Sequence, residues 1–166
     1  MKRKIMLALI ALVTVCLAVS VVSAWEFSFG GESSSSTKVG SDGDVANIEY
    51  NNGILKISNK EFKIPSGYTQ DTNLTKTGDN ANLTGVDAKM SRATFTNGDK
   101  PIIVKYIYAD NDLTYNPTTD GAQNKTIGGH AGVLEKNSDG TVFFSYIDDG
   151  KLIQIETPDE DTLNQI

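Results

Sequence analysis

The chain has 166 residues, a length typical of one domain, and its 15 basic against 21 acidic residues give a net charge of −6. That acidity argues against nucleic acid and anionic lipid surfaces as partners, because both attract basic proteins. One cysteine and one histidine in the whole sequence also disfavour zinc and copper sites, which need several sulfur or imidazole ligands.

The first 24 residues have the organisation of an export signal. A basic head at residues 2–4 precedes an almost wholly apolar run at 5–24, and small residues at 22–24 suit an export peptidase. The run is also close to the roughly 20 residues that span a bilayer. Residues 1–24 are therefore predicted to be a signal peptide or a membrane anchor, with the rest of the chain secreted or held outside the membrane.

A polar linker is predicted to follow the export segment. Residues 25–47 begin with a short aromatic patch and continue as a Gly- and Ser-rich stretch, which is typical of a flexible tether. The sole cysteine, Cys16, lies inside the export segment, so the exported part would contain no disulfide. That part carries 12 basic and 21 acidic residues, a net charge of −9.

Residues 48–166 are predicted to form a single extracytoplasmic domain. Runs of apolar, aromatic and β-branched residues predict strands at 54–57, 61–64, 93–95 and 102–108. The Asn97-Gly98 pair between the last two is a strong hairpin signal.

Two polar stretches interrupt this pattern. Residues 68–88 and 110–126 contain few apolar residues and are interpreted as long polar loops, with a short strand or helix as the alternative within 68–88. Loops of this length are unusual in a compact domain.

The clearest pattern runs from residue 127 to residue 166. Alternating aromatic and apolar residues at 142–147 predict a central strand, and Gly-containing turns on either side predict partner strands at 131–136 and 151–157. Together these strands would form a three-stranded antiparallel meander.

A short helix is predicted to close the chain. Thr157 and Pro158 have the residue types of an N-cap and a first helical position, and Glu160 completes a capping box. The predicted fold is therefore α+β, an antiparallel sheet of five to six strands with a C-terminal helix packed on it.

The sequence contains few candidates for chemistry, and no catalytic residue, cofactor or metal ligand is assigned. His130 follows two glycines and is interpreted as the edge of a tight bend that leads into a strand. The alternatives are a hydrolase-like enzyme that uses His130 with a loop carboxylate, and a calcium-stabilised domain. Asp110, Asp112 and Asp120 lack the spacing of an EF-hand, which would leave a non-standard calcium site.

Three Asn-X-Thr triplets are acceptors for N-linked glycans. They begin at Asn73, Asn82 and Asn124, and all three lie in the predicted loops of the exported part.

Three segments carry a resemblance to a known group of proteins. FKIPSGY at 62–68, TIGG at 126–129 and FSYIDDGKL at 144–152 resemble small exported single-domain proteins of unknown function from methanogenic archaea. The resemblance covers about residues 54–166 and implies an exported single domain without assigning any activity. The expected function is a non-enzymatic binding or structural domain with an unknown cell-surface or extracellular partner.

Overall fold

The computed structural model describes residues 36–39, 46–117 and 120–166. These ranges contain twelve strands and one helix, and every strand pair is antiparallel. The elements in chain order are β1 (Ser36–Val39), β2 (Ile48–Asn51), β3 (Ile54–Ile57), β4 (Lys60–Lys63), β5 (Thr69–Gln70), β6 (Lys76–Leu83), β7 (Val86–Asn97), β8 (Lys100–Tyr108), β9 (Gln123–Ile127), β10 (His130–Lys136), β11 (Val142–Asp148), β12 (Lys151–Thr157) and α1 (Glu160–Leu163).

The strands form a small sheet and a large sheet. The small sheet has the order β1-β2-β3-β4, and the large one has the order β5-β7-β8-β12-β11-β10-β9. Strand β7 has 12 residues, long enough to pair with both β5 and β6 along one side. Strands β6 and β9 therefore lie at opposite edges of the large sheet.

The small sheet packs on one face of the large sheet. Strand residues alternate between the two faces, so the inward positions of both sheets meet in one core that includes Ile48, Leu55, Ile57, Phe95, Val104 and Phe144. Tyr50 of the small sheet meets Phe95 of the large sheet edge to face, with ring centroids 4.8 Å apart. This contact joins the two sheets within the core.

An ion-paired lysine also joins the two sheets. Lys60 of β4 lies 2.6 Å from Asp148 and 3.1 Å from Asp149, at the turn between β11 and β12. The hydrogen bond to Asp148 raises the pKa of Lys60, so its ammonium group stays charged. The side chain is only 15% exposed, so this pair holds the edge of the small sheet against the large one.

The loop before β9 covers part of the opposite face of the large sheet. Leu113 is buried there beside Ile107 and Leu152, and its backbone N–H donates to the carbonyl of Gly150 over 2.8 Å. The Tyr115 hydroxyl bonds to the carboxylate of Glu135. The loop is thus fixed to the sheet by apolar and polar contacts.

The same loop also contacts Gly150 through Asp112. Its φ is +69°, and an added Cβ would lie 2.5 Å from Cγ of Asp112. We expect Gly150→Ala to cost up to about 1 kcal/mol more than Gly140→Ala, because the exposed Asp112 side chain must turn away from the added methyl group only at Gly150, while both sites carry the same backbone strain. Gly140 is the matched control, since its φ is +93° and no atom lies within 4 Å of the added Cβ. Urea unfolding measures both, and equal losses would contradict the close docking.

The structure confirms the antiparallel architecture and the C-terminal meander. Strands β10, β11 and β12 match the three predicted strands to within one residue at each end. Leu163 of α1 is 1% exposed and belongs to the core, so the helix packs on the sheet. The predicted count of five to six strands is wrong, because the described residues contain twelve.

The additional strands lie mainly where polar loops were predicted. Strands β5 and β6 and the start of β7 occupy residues 68–88, and β9 begins within residues 110–126. Strand β6 has an exposed or half-exposed side chain at every position, so it leaves no apolar alternation in the sequence.

The N-terminal predictions fall largely outside the described residues. The segment predicted as signal peptide or anchor, 1–24, lies there entirely. Within the predicted tether, Ser36–Val39 pairs with β2 as strand β1. In the described part of the chain, no helix is long and apolar enough to cross a membrane.

Candidate functional site

A small cleft opens where the small sheet, the β9–β10 hairpin and the C-terminus meet. Its volume is about 90 Å³. Its lining is mostly apolar and aromatic, and it includes Phe62, Ile127, His130, Phe144, Tyr146 and Ile166, with Glu61 beside Phe62. We refer to it as the His130 cleft.

The β9–β10 turn determines where His130 lies. Gly128 and Gly129 have φ values of +58° and +84°, the left-handed conformations that a two-residue hairpin turn requires. This turn pairs Ile127 with His130. The exposed His130 ring then stacks on Tyr146, with ring centroids 4.3 Å apart and planes inclined by 21°.

Tyr146 links this stack to the core. Its ring also packs against Phe144 at 5.5 Å, and only 5% of the residue is exposed. Burial, with a smaller contribution from the charge of Asp148, raises the pKa of Tyr146 to about 12. The hydroxyl therefore stays protonated at neutral pH. Each aromatic pair is worth about 0.5–1.5 kcal/mol beyond its buried area.

Gly132 leaves room for the Phe144 ring beside the cleft. An added Cβ at Gly132 would lie 2.5 Å from the Ser145 carbonyl oxygen and 2.8 Å from the Phe144 ring. The ring therefore covers backbone where any other residue would place a side chain. This contact fixes Phe144, and through it Tyr146, in the wall of the cleft.

The short helix forms another wall and is braced by charge. Glu160 accepts from Lys125 of β9, and its second oxygen lies 2.8 Å from Nζ of Lys136 on β10. The predicted cap at Thr157 is wrong, because Thr157 is the last residue of β12 and its hydroxyl donates to the Asp159 carbonyl. Asp159 is the N-cap and accepts from the Thr162 N–H over 2.7 Å.

Glu160 should make the helix brace sensitive to acid. Hydrogen bonds from Lys125 and then Lys136 lower the pKa of Glu160 to about 2. Because the pKa is lower in the folded state than the roughly 4.3 of the unfolded chain, the ionised carboxylate stabilises the fold. This stabilisation is fully present above about pH 4.3 and is lost as the pH falls through about 2. We expect Glu160→Gln to melt below the wild type at pH 7 and alongside it near pH 2. Asp120→Asn removes an exposed loop carboxylate and is the control. The brace would be contradicted if Glu160→Gln melted as far below the wild type at pH 2 as at pH 7.

Among the described residues, no carboxylate is in hydrogen-bond contact with His130. Its ring instead stacks on Tyr146. Glu61 lines the same cleft, but it is a strand residue that pairs with Lys56 at 3.7 Å. The stacked ring and the apolar lining give this cleft the surface of a contact site for an apolar or aromatic group.

Among the described residues, the predicted loop carboxylates do not come together as a metal site. Asp112 packs against Gly150, and Asp149 and Gly150 form the turn between β11 and β12 with φ values of +49° and +69°. Within residues 46–117 and 120–166, no three His, Cys, Asp or Glu side chains converge so that they could hold a metal ion.

All three glycan acceptors are exposed asparagines. Asn73 lies in the turn after β5, where its backbone N–H donates to Asp71. Asn82 is on β6 and Asn124 is on β9. Two of the three are thus strand residues and not loop residues as predicted.

Sequence reasoning selected His130 but missed its surroundings. Phe62, Tyr146 and Ile166 are far apart along the chain, and nothing in their local patterns shows that they meet. The Gly128-Gly129 pair was the one local signal, because it predicts a tight turn immediately before His130. Comparison with protein-family models, with curated proteins and with solved structures found no match.

Proposed function

We propose that the protein is an exported, non-enzymatic binding domain that acts at the cell surface or in its surroundings. In this proposal, the His130 cleft holds a group of an extracellular partner. The observation that carries it is the exposed imidazole stacked on a buried tyrosine inside an apolar concavity. Binding sites are commonly concave and apolar, with a few polar groups that fix the orientation of the ligand.

The chemistry of the cleft indicates what it would hold. The apolar walls and the aromatic stack suit an apolar side chain or the apolar face of a ring. Glu61 supplies hydrogen-bond acceptors near the walls, and the ring nitrogens of His130 supply a donor and an acceptor. At about 90 Å³, the cleft is suited to one such group and not to a whole small molecule.

The proposed location follows from the N-terminal pattern. A basic head, an apolar run and small residues at 22–24 favour export, and residues 5–24 would anchor the protein in the membrane if they stayed uncleaved. The net charge of −9 in the exported part suits a soluble surface domain and disfavours nucleic acid.

A binding assay with the envelope of the producing cells tests the proposal. Labelled protein should bind saturably to the envelope fraction, and His130→Ala should weaken binding about tenfold, equivalent to 1.4 kcal/mol. Ser138→Ala is the matched control, because Ser138 is an exposed turn residue at the opposite end of β10. Equal binding by the His130 variant and the wild type would contradict the proposal, as would absence of binding.

A further inference from the structure

Two of the three glycan acceptors lie on opposite edges of the large sheet. Asn82 is on β6, which pairs with β7, and Asn124 is on β9, which pairs with β10. Among the described strands, neither β6 nor β9 has a partner on its other side. A free edge of this kind is a template for pairing with another chain, which natural proteins block or cover.

The hairpin registers place both asparagines at positions that face outward. Two-residue turns join Leu83 to Val86 and Ile127 to His130, and the residue pair that closes such a turn is hydrogen-bonded. Bonded and non-bonded pairs alternate along an antiparallel ladder. Asn82 is one position from its turn and Asn124 is three positions from its own, so both belong to non-bonded pairs. Their own N–H and C=O groups therefore point toward the free edge.

Both triplets are also accessible in the folded protein. Asn82, Thr84, Asn124 and Thr126 are all exposed. An open depression of about 400 Å³ adjoins Asn124 and is lined by Thr126 and Gly132, which gives space for the first sugars of a glycan.

The third triplet differs in its threonine. Thr75 is 2% exposed, and its hydroxyl donates to the Asp71 carbonyl over 2.8 Å and accepts from the Thr94 N–H over 3.3 Å. The hydroxyl that completes the triplet of Asn73 is therefore engaged by the fold. Asn73 also lies in a turn and not on a sheet edge.

We propose that Asn82 and Asn124 carry N-linked glycans that cover the two edges of the large sheet and prevent edge-to-edge association. The donor would be an oligosaccharide linked to a lipid phosphate. The amide nitrogen of Asn forms a bond to C1 of the first sugar and loses a proton, while the bond from C1 to the phosphate oxygen breaks and the lipid phosphate leaves. A hydrated glycan at an outward-facing strand position blocks the approach of a further strand. This inference rests on the export proposed above.

Secretion from yeast tests the inference. Residues 25–166 are placed directly behind an added host leader, which imposes export and leaves no apolar segment that could anchor the protein, so that bare asparagines would count against the edge glycans and not against export of the native chain. Peptide mass spectrometry should find glycans at Asn82 and Asn124. In sedimentation velocity, the wild type and Asn73→Gln should be monomeric, whereas the double variant N82Q/N124Q should shift to dimers or larger species.

Enzymatic removal of the glycans from folded wild-type protein gives the same test without a substitution. Self-association should follow their removal even if the double variant is not secreted. The proposal is overturned if either edge asparagine is bare in the secreted protein. It is also overturned if the deglycosylated protein stays monomeric at the concentrations used for the wild type.

Discussion

Replacing Phe95 by Ala is expected to lower the free energy of unfolding by about 3–5 kcal/mol. The Phe95 side chain is fully buried and meets Tyr50 across the two sheets at 4.8 Å. Truncation would leave a cavity between sheets whose backbones are held by their own ladders and cannot close in fully. Because a domain of this size is stable by only about 5–15 kcal/mol, this one change would remove a large part of its stability.

Phe143→Ala is the matched control for that change. Phe143 lies on the opposite face of β11 and is half-buried, so its loss should cost about 1 kcal/mol by area. Urea unfolding followed by circular dichroism gives both values. If the two variants lost the same stability, the packing of the small sheet on the Phe95 face would be wrong.

Replacing Gly132 by Ala is expected to cost about 1–3 kcal/mol, although Ala is ordinarily the better strand residue. The added methyl would lie 2.5 Å from the Ser145 carbonyl oxygen, which the sheet fixes in place, and it would also meet the Phe144 ring. Relief therefore requires the β10–β11 ladder to separate locally or the ring to leave its rotamer. Either movement would displace Tyr146 and change its stack with His130.

Ala131→Val tests whether bulk alone explains that loss. Ala131 is the neighbouring residue on β10, it is exposed, and it lies on the other face of the sheet. Its larger side chain should change the stability by less than about 0.5 kcal/mol. A Gly132→Ala protein as stable as the wild type, with an unchanged Tyr146 ring environment by NMR, would contradict the close contact with Phe144.

The elements that could be predicted from sequence are those with strong local signals. The C-terminal meander has alternating aromatic residues in β11 and Gly-containing turns on both sides. Strands β6 and β9 gave no such signal, because edge strands with mostly exposed side chains need no apolar alternation. The backbone pairing of these two strands is set by their neighbours β7 and β10.

Only one feature of the candidate site, the position of His130, could be predicted from the sequence. The Gly128-Gly129 turn indicated that His130 would lie at the edge of a bend, as it does. Its stacking partner Tyr146 has the sequence pattern of an ordinary core residue, and Phe62 comes from the other sheet. Contacts between residues of high sequence separation depend on the packing of the two sheets, which local patterns do not encode.

The most direct test of the binding account is amide hydrogen exchange of the protein, free and bound to the envelope of the producing cells. The account predicts slower exchange in the bound state at residues 61–62, 127–130 and 163–166, which surround the His130 cleft. The far turn at 137–141 should exchange at the same rate in both states. Protection at the far turn without protection at the cleft would place the binding surface elsewhere and contradict the proposal.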